Sequence, residues 1–350
     1  MSERLTESTW LYNQPLEGIV KNWWDRNLTR LRQEWGDPWI LGTGFILSAA
    51  YETWDGAPND RFTREQVFMT KDGLSVPVEG TELWQLWQEY TTSEAARDDF
   101  NGSKLHLNRY SRVLTDTNLK LSVSQYDWHR MRTLGMGLRD GVLPNGQPFP
   151  NQEQYQDGIL PVRTTEGYIF PPENHPNNIV VQAAVITADN QVILTKKPKD
   201  ADYYPDCVSA SIEEQMHGQR DNSPFDTLER SIGKIGGEEL KLTLIPSKSR
   251  LAAMVLEIDC NAIALIMTAR VEETSDQIDA TNFGPDRAEF DPTYSARTLP
   301  LDRPETLVNA FHDPNFKWHG LSKIRLVAAL SEVHGYQEAL DLLYRGYQTA

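Results

Sequence analysis

Cysteine is nearly absent from this chain of 350 residues, which has only Cys207 and Cys260. Two cysteines cannot build a disulfide framework, nor a structural zinc site by themselves. That usage predicts a reducing, cytoplasmic compartment. Long apolar runs are missing too. The longest, Ala262 to Ala269, has the length of a buried strand and falls far short of a membrane span. The opening residues Met1-Ser2-Glu3-Arg4-Leu5-Thr6-Glu7 carry no apolar signal core. Positive charge is outweighed: 34 Lys and Arg face 50 Asp and Glu, a net charge of -16. Such a field repels nucleic-acid polymers, whereas a small phosphorylated substrate needs only a few local cations. The seven histidines include no pair at zinc-ligand spacing. No G-x-G-x-x-G, phosphate-binding P-loop or nucleophile elbow occurs. These absences predict neither a membrane nor a nucleic-acid partner, and they leave an oligomer open.

What is present is enough for a folded core. The hydrophobic fraction is a modest 39%, but ten Trp, thirteen Tyr and eleven Phe supply large apolar area. The length suits two domains. Turn formers concentrate at Gly141 to Pro150 and at Pro171 to Pro176, so we expect an N-terminal α/β region over 1–160 and a second unit over 161–350. In the first, Leu16, Val20, Trp23, Trp24, Leu28 and Leu31 lie mainly at helical spacings. A second helix is expected at Thr81 to Tyr90, with an N-cap in Glu79-Gly80-Thr81. Alternation predicts strands at Lys104 to Tyr110 and Leu119 to Ser124, with turn residues Thr115 to Asn118 between them.

The second unit starts with a hairpin, Ile179 to Ala188 and Gln191 to Lys197, turning at Asp189-Asn190. A loop bearing the paired carboxylates Glu213-Glu214 follows, and then a helix from Pro224 to Gly236. Ser223 caps it, Pro224 suits its first position, and Asp226 sits three residues after the cap. Leu228, Ile232 and Ile235 form its core stripe, and Gly236-Gly237 offer a left-handed stop. Gly233 inside it marks either a close approach, a packing contact or an earlier helix end. A second hairpin, Leu251 to Ile258 and Ala262 to Val271, turns at Asp259-Cys260-Asn261. The polar stretch Glu272 to Lys317 reads as a long functional loop or a disordered insert. Two helices close the chain: Leu321 to Leu330, stopped by Gly335, and a last one marked by Ala339, Leu340, Leu343 and Tyr347.

The order of elements over 179–240 resembles the Nudix superfamily. Its box reads G-x5-E-x7-R-E-U-x-E-E-x-G-U, with U aliphatic. Arg230 falls on the box arginine, Ser231 on the glutamate after it, Ile232 on the aliphatic position and Gly237 on the glycine. Lys234 and Ile235 stand where the metal-binding glutamate pair belongs, and an insertion at Gly218 to Asn222 is needed to reach Glu213-Glu214. Asn101 to Leu107, a second strand and Ser124-Gln125-Tyr126 are similar to the segment preceding the domain in some UDP-sugar-type members. The resemblance spans at most residues 100 to 335. It implies an α/β/α sandwich with a mixed sheet and hydrolysis of a diphosphate linkage in a nucleotide-like small molecule with Mg²⁺ or Mn²⁺. With the glutamate pair replaced, it also admits metal-independent, non-hydrolytic chemistry, or a catalytically inactive module that binds a nucleotide or protein partner.

Each candidate site residue has two readings. Glu213 and Glu214 can bind metal or act as base, with Glu229 or Glu239 as a third carboxylate, or form a solvated acidic loop. Arg230 and Lys234 lie at i and i+4 and share a face on the expected helix. There Lys234 can stand in for a bound cation and hold phosphate, or simply be a basic surface residue. Lys197, in the run Lys196, Lys197 and Lys199, can recognise phosphate or end a solvated strand. Tyr126, with Trp128 and His129, can close over a base or sugar or belong to the core. His217 lies beside Glu214, while His312 and His319 flank Trp318 and can reach a ligand.

Overall fold

The computed structural model describes residues 61–335 apart from 74–76, 94–95, 97–100, 113–117, 166, 172–176, 202–203, 259–260, 285–296 and 314–316, together with 22–23, 26–27, 29–30, 33, 40–41, 44–49, 338–339 and 341. Its two sheets are both mixed. The smaller has five strands in the order β3 (Val67–Asp72), β5 (Leu119–Asp127), β4 (Ser103–Arg112), β7 (Gly167–Ile169) and β6 (Val162–Thr164). Only β3 and β5 run parallel. The larger sheet runs β1 (Ile40–Leu41), β2 (Gly44–Ala49), β12 (Arg250–Glu257), β13 (Ala262–Arg270), β8 (Asn178–Ile186), β9 (Gln191–Lys196), β10 (Val208–Ser209). Strand β11 (Ile212–Gln215) pairs with the first half of β8, and β14 (Arg297–Pro300) with β9.

Strand β8 is buried along its whole length, and its alternation assigns residues to two cores. Val181, Ala183 and Val185 pack with Phe225 and Leu228 of the helix Pro224–Ser231 and with Leu105, Leu121 and Val123 of the smaller sheet. Ala184 and Ile186 pack on the opposite face with Leu307 and Val308 of Pro304–His312 and with Ile324 and Ala328 of Ser322–His334. The sheet therefore lies between helices on both faces, an α/β/α sandwich. In chain order we label the helices α1 (Glu82–Thr91), α2 (a run of Trp128–Arg130, the π-helical Met131–Met136 and Gly137–Asp140), α3 (Gln152–Asp157), α4 (Pro224–Ser231), α5 (Pro304–His312) and α6 (Ser322–His334). No described helix is long and apolar enough to cross a membrane.

The caps act where the sequence puts them. Thr81 accepts a hydrogen bond from the Trp84 amide before α1, and Ser223 accepts one from the Asp226 amide before α4. Gly335 ends α6 with φ 76°. Residues 22–23, 26–27, 29–30 and 33 are helical, and the wholly buried Trp23 donates its indole N–H to the Gln156 carbonyl at 2.7 Å. Leu16, Val20, Trp24, Leu28, Leu31, the turn at 115–117, Cys260 and most of the last expected helix lie outside the described residues.

Four expectations change. The segment with Glu213 and Glu214 is not a loop but strand β11, paired antiparallel to β8 with Glu213 opposite Gln182 and Glu214 opposite Val181. Helix α4 stops at Ser231 instead of Gly236. Ile232 turns to extended backbone (φ -118°, ψ 106°) and bridges Leu240, whose carbonyl accepts the Gly233 N–H at 3.0 Å. A glycine at 233 weakens the next turn of helix, and the pairing to Leu240 replaces it. Ile235, expected in the core stripe, is 97% exposed. The stretch 272–317 is not one loop, because it contains β14 and α5. Strands β6 and β7 complete the smaller sheet, while β1 and β2 extend the larger one.

Candidate functional site

Adjacent residues of a strand point to opposite faces, and that rule separates the two expected carboxylates. Glu213 faces α6. Its Oε1 accepts from Ser209 Oγ at 2.5 Å and Arg325 Nη2 at 2.8 Å, and its Oε2 meets Lys197 Nζ at 2.8 Å and His319 Nε2 at 3.1 Å. Burial alone would push this carboxyl up, but His319, Lys197 and Arg325 outweigh it and hold the group well below the usual carboxylate range. His319 Nδ1 accepts from the Leu321 amide at 3.3 Å and lies 3.1 Å from Arg325 Nη2, so the ring carries its proton on Nε2 and donates it to Glu213. Burial pushes the imidazole down to about 4 against the pull of Glu213, so it is neutral at pH 7. Tyr204 packs its ring 4.0 Å from His319 and donates to Glu257 Oε1 at 3.1 Å, and Glu257 Oε2 accepts from Gln182 Nε2 at 3.2 Å. The network ties the end of β9, β11, β12 and α6 together.

Glu214 faces the other way, toward α4. It meets Arg230 Nη1 at 3.2 Å, and burial raises its carboxyl despite Arg230 and Lys104. Arg230 also binds Asp221 through Nε at 3.3 Å and Nη2 at 2.9 Å, the Gln215 carbonyl at 3.1 Å, and Glu238. Glu229 lies on the outer side of α4 and pairs with Arg64 at 2.6 Å; Arg64 also holds Asp226 at 2.7 Å. Lys234 follows the helix instead of belonging to it and is exposed, so it shares no helix face with Arg230.

Of the expected residues, the structure thus brings Glu213 to Lys197, and Glu214 to Arg230, in two groups on opposite faces of the sheet. Glu229 and Lys234 join neither. A shared Mg²⁺ or Mn²⁺ shell does not fit Glu213 and Glu214 as they stand: their carboxylates diverge, and each already accepts from cationic side chains. Among the described residues no group of three or more His, Cys, Asp and Glu side chains is arranged to hold a metal ion.

Tyr126 lies elsewhere. Its hydroxyl donates to Asn178 Oδ1 at 3.3 Å, and the residue borders a cleft of about 440 Å³ also lined by Asn101, Ser103, Gln125, Asp127, Arg130, His217 and Gln219. The cleft opens where the 217–219 turn meets the ends of β4 and β5. Gly218 allows that meeting: its N–H donates to the Ser103 carbonyl at 3.2 Å, and a Cβ there would stand 2.2 Å from Ser103 Oγ. Trp128 and His129 do not line this cleft; His129 packs edge-on against Tyr90, and Lys104 lies over the Trp128 ring.

Sequence reasoning missed Arg325, Tyr204, Glu257 and Asp221. The signal available for Arg325 was a cation within the apolar spacing of α6, and for Glu257 a carboxylate at the end of an apolar strand.

No family model matches the chain, and no curated protein matches it in sequence. Among solved structures, the chain is similar to DR0079 from Deinococcus radiodurans at TM-score 0.31 and 14% identity, over 47% of this chain and 94% of that one. It is also similar to Tm1382, a candidate Nudix hydrolase, at TM-score 0.33 and 11% identity, over 66% of this chain and 99% of that one. Likeness at this level carries no argument about fold or activity.

Proposed function

We propose that the chain is a binding module on a Nudix-like sandwich, holding a small nucleotide-like or other polar ligand without hydrolysing it. One observation carries the reading. Glu213 and Glu214, the carboxylates nearest to a metal-binding pair, diverge from a strand, and each is paired with Arg or Lys. A carboxylate already accepting from Ser209, Lys197, His319 and Arg325 has no lone pair left for a metal or a water. The hydrolase implied by the resemblance would need both groups released and turned to one side. The test is incubation with a panel of dinucleotides and nucleotide sugars plus Mg²⁺, beside calorimetry with and without chelator. We expect no product and saturable, chelator-insensitive binding to one panel member. Turnover of any member overturns the reading and restores the hydrolase.

A further inference from the structure

The cleft beside Tyr126 differs from the two closed ion networks in having polar groups to spare. His217 Nδ1 accepts from the Gln219 amide at 3.1 Å and the Arg220 amide at 3.2 Å. That fixes the neutral ring with its proton on Nε2, its one remaining donor. Gln125 gives its Nε2 to the Gly218 carbonyl at 2.9 Å, which leaves Oε1 as an acceptor. Asn101 Oδ1 accepts from the His129 amide at 3.0 Å, which leaves Nδ2 as a donor. Gln219, exposed at the rim, and Ser103 add an amide and a hydroxyl.

The charges in the lining cancel. Arg130 sits 3.4 Å from Asp127 and 3.8 Å over the Trp87 ring, so its charge is already answered. An anion entering here meets no unpaired cation in the lining, and the chain as a whole carries -16. An apolar guest would strip water from amides, an imidazole and a hydroxyl with nothing in return. Hydroxyl groups both donate and accept, and they suit a lining that mixes neutral donors and acceptors. The volume of about 440 Å³ is that of a small-molecule site.

We propose that this cleft binds a neutral polyhydroxylated small molecule, a free sugar or cyclitol, through Asn101, Ser103, Gln125, His217 and Gln219. The proposal goes beyond the binding-module reading and assigns this cleft a neutral ligand outside the nucleotide panel.

The experiment is saturation-transfer NMR on the full chain with D-ribose, D-glucose and myo-inositol, each competed with inorganic phosphate. We expect saturable transfer to at least one polyol and no competition by phosphate. Combining Ser103→Ala with Gln219→Ala removes two hydrogen-bonding groups, each worth about 0.5–1.5 kcal/mol, so affinity should fall roughly tenfold. Lys234→Ala, on the surface after α4, should leave affinity unchanged. A melting curve checks that the double variant is folded; if it is not, Gln219→Ala alone should weaken binding roughly threefold to tenfold. Absence of transfer to all three polyols, competition by phosphate, or full affinity in the folded variants overturns the proposal. Failure here with saturable nucleotide binding leaves the module reading intact. Turnover of a nucleotide with polyol binding retained overturns that reading alone.

Discussion

Glu213→Gln is the substitution that most directly separates a structural carboxylate from a catalytic one. Glutamine keeps the shape of the side chain but removes its charge. Lys197 and Arg325 would then share a buried site without their anion, and the new amide N–H₂ would face a donor in place of accepting from it. Breaking a buried ion pair from one side costs about 3–5 kcal/mol. With an unfolding entropy of about 2.1 cal/mol/K per residue, a chain of 350 residues changes by roughly 0.7 kcal/mol per degree, so the melting temperature should drop roughly 4–7 °C. Glu214→Gln should cost far less, about 1 kcal/mol, because Arg230 keeps Asp221 and Glu238. Scanning calorimetry at pH 7 compares the two. A second signature is acid stability. The Glu213 carboxyl is depressed in the folded state, so its contribution is whole above the unfolded value of about 4.3 and vanishes as pH falls through the folded value. Glu213→Gln lacks that acid limb. A Glu213→Gln protein melting within about 1 °C of the parent, or equal losses in the two variants, would refute this account of β11.

Three further outcomes follow from the same geometry. His319 is neutral and depressed to about 4 when folded, whereas the unfolded ring titrates at 6.5, so the unfolded chain gains a proton first and stability falls as pH drops from 6.5 toward 4. His319→Gln should flatten that slope, read as urea midpoints at pH 7 and pH 5. Lys234→Ala should leave the denaturation midpoint unchanged within about 0.5 kcal/mol, because the side chain is exposed beyond α4. Gly218→Ala puts a Cβ 2.2 Å from Ser103 Oγ and 3.0 Å from the Lys104 carbonyl, and should cost about 1–3 kcal/mol in denaturant unfolding while raising amide exchange at the 217–219 turn.

The parts of the fold that local physics decides were legible in the sequence. The Thr81 and Ser223 caps, the alternation in β4 and β5, the apolar runs of β8, β12 and β13, and Gly335 each act within a few residues. What long-range pairing decides was not. Strand β11 carries Ile-Glu-Glu-Gln, a poor strand signal, and exists because β8 supplies its partner. Helix α4 loses its last turn to a bridge with Leu240, eight residues on, which overrides an apolar stripe that looked complete. The site shows the same limit. Lys197 could be suspected from its basic run, but Arg325 lies 112 residues from Glu213 and reaches it only because α6 packs on that face of the sheet.

Arg230 and the box glutamates that Lys234 and Ile235 replace answer to different physics. A metal shell needs several carboxylates on one side, and it fails once the helix ends at Ser231 and the following residues peel away toward Leu240. Arg230 depends on no metal. Its planar fork reaches Glu214 on β11, the Gln215 carbonyl, Asp221 after the 217–219 turn, and Glu238 beyond the helix. A lysine, with three donors on one nitrogen, cannot span that set. Burial works against the guanidinium's charge, yet Asp221, Glu214 and Glu238 together raise its pKa above the ordinary value. Without Arg230, three carboxylates would converge on one half-buried point. An arginine at this position is therefore required by the folding of β11 and α4 whether or not the protein does chemistry. Its presence argues for the sandwich, and activity must be argued from other groups.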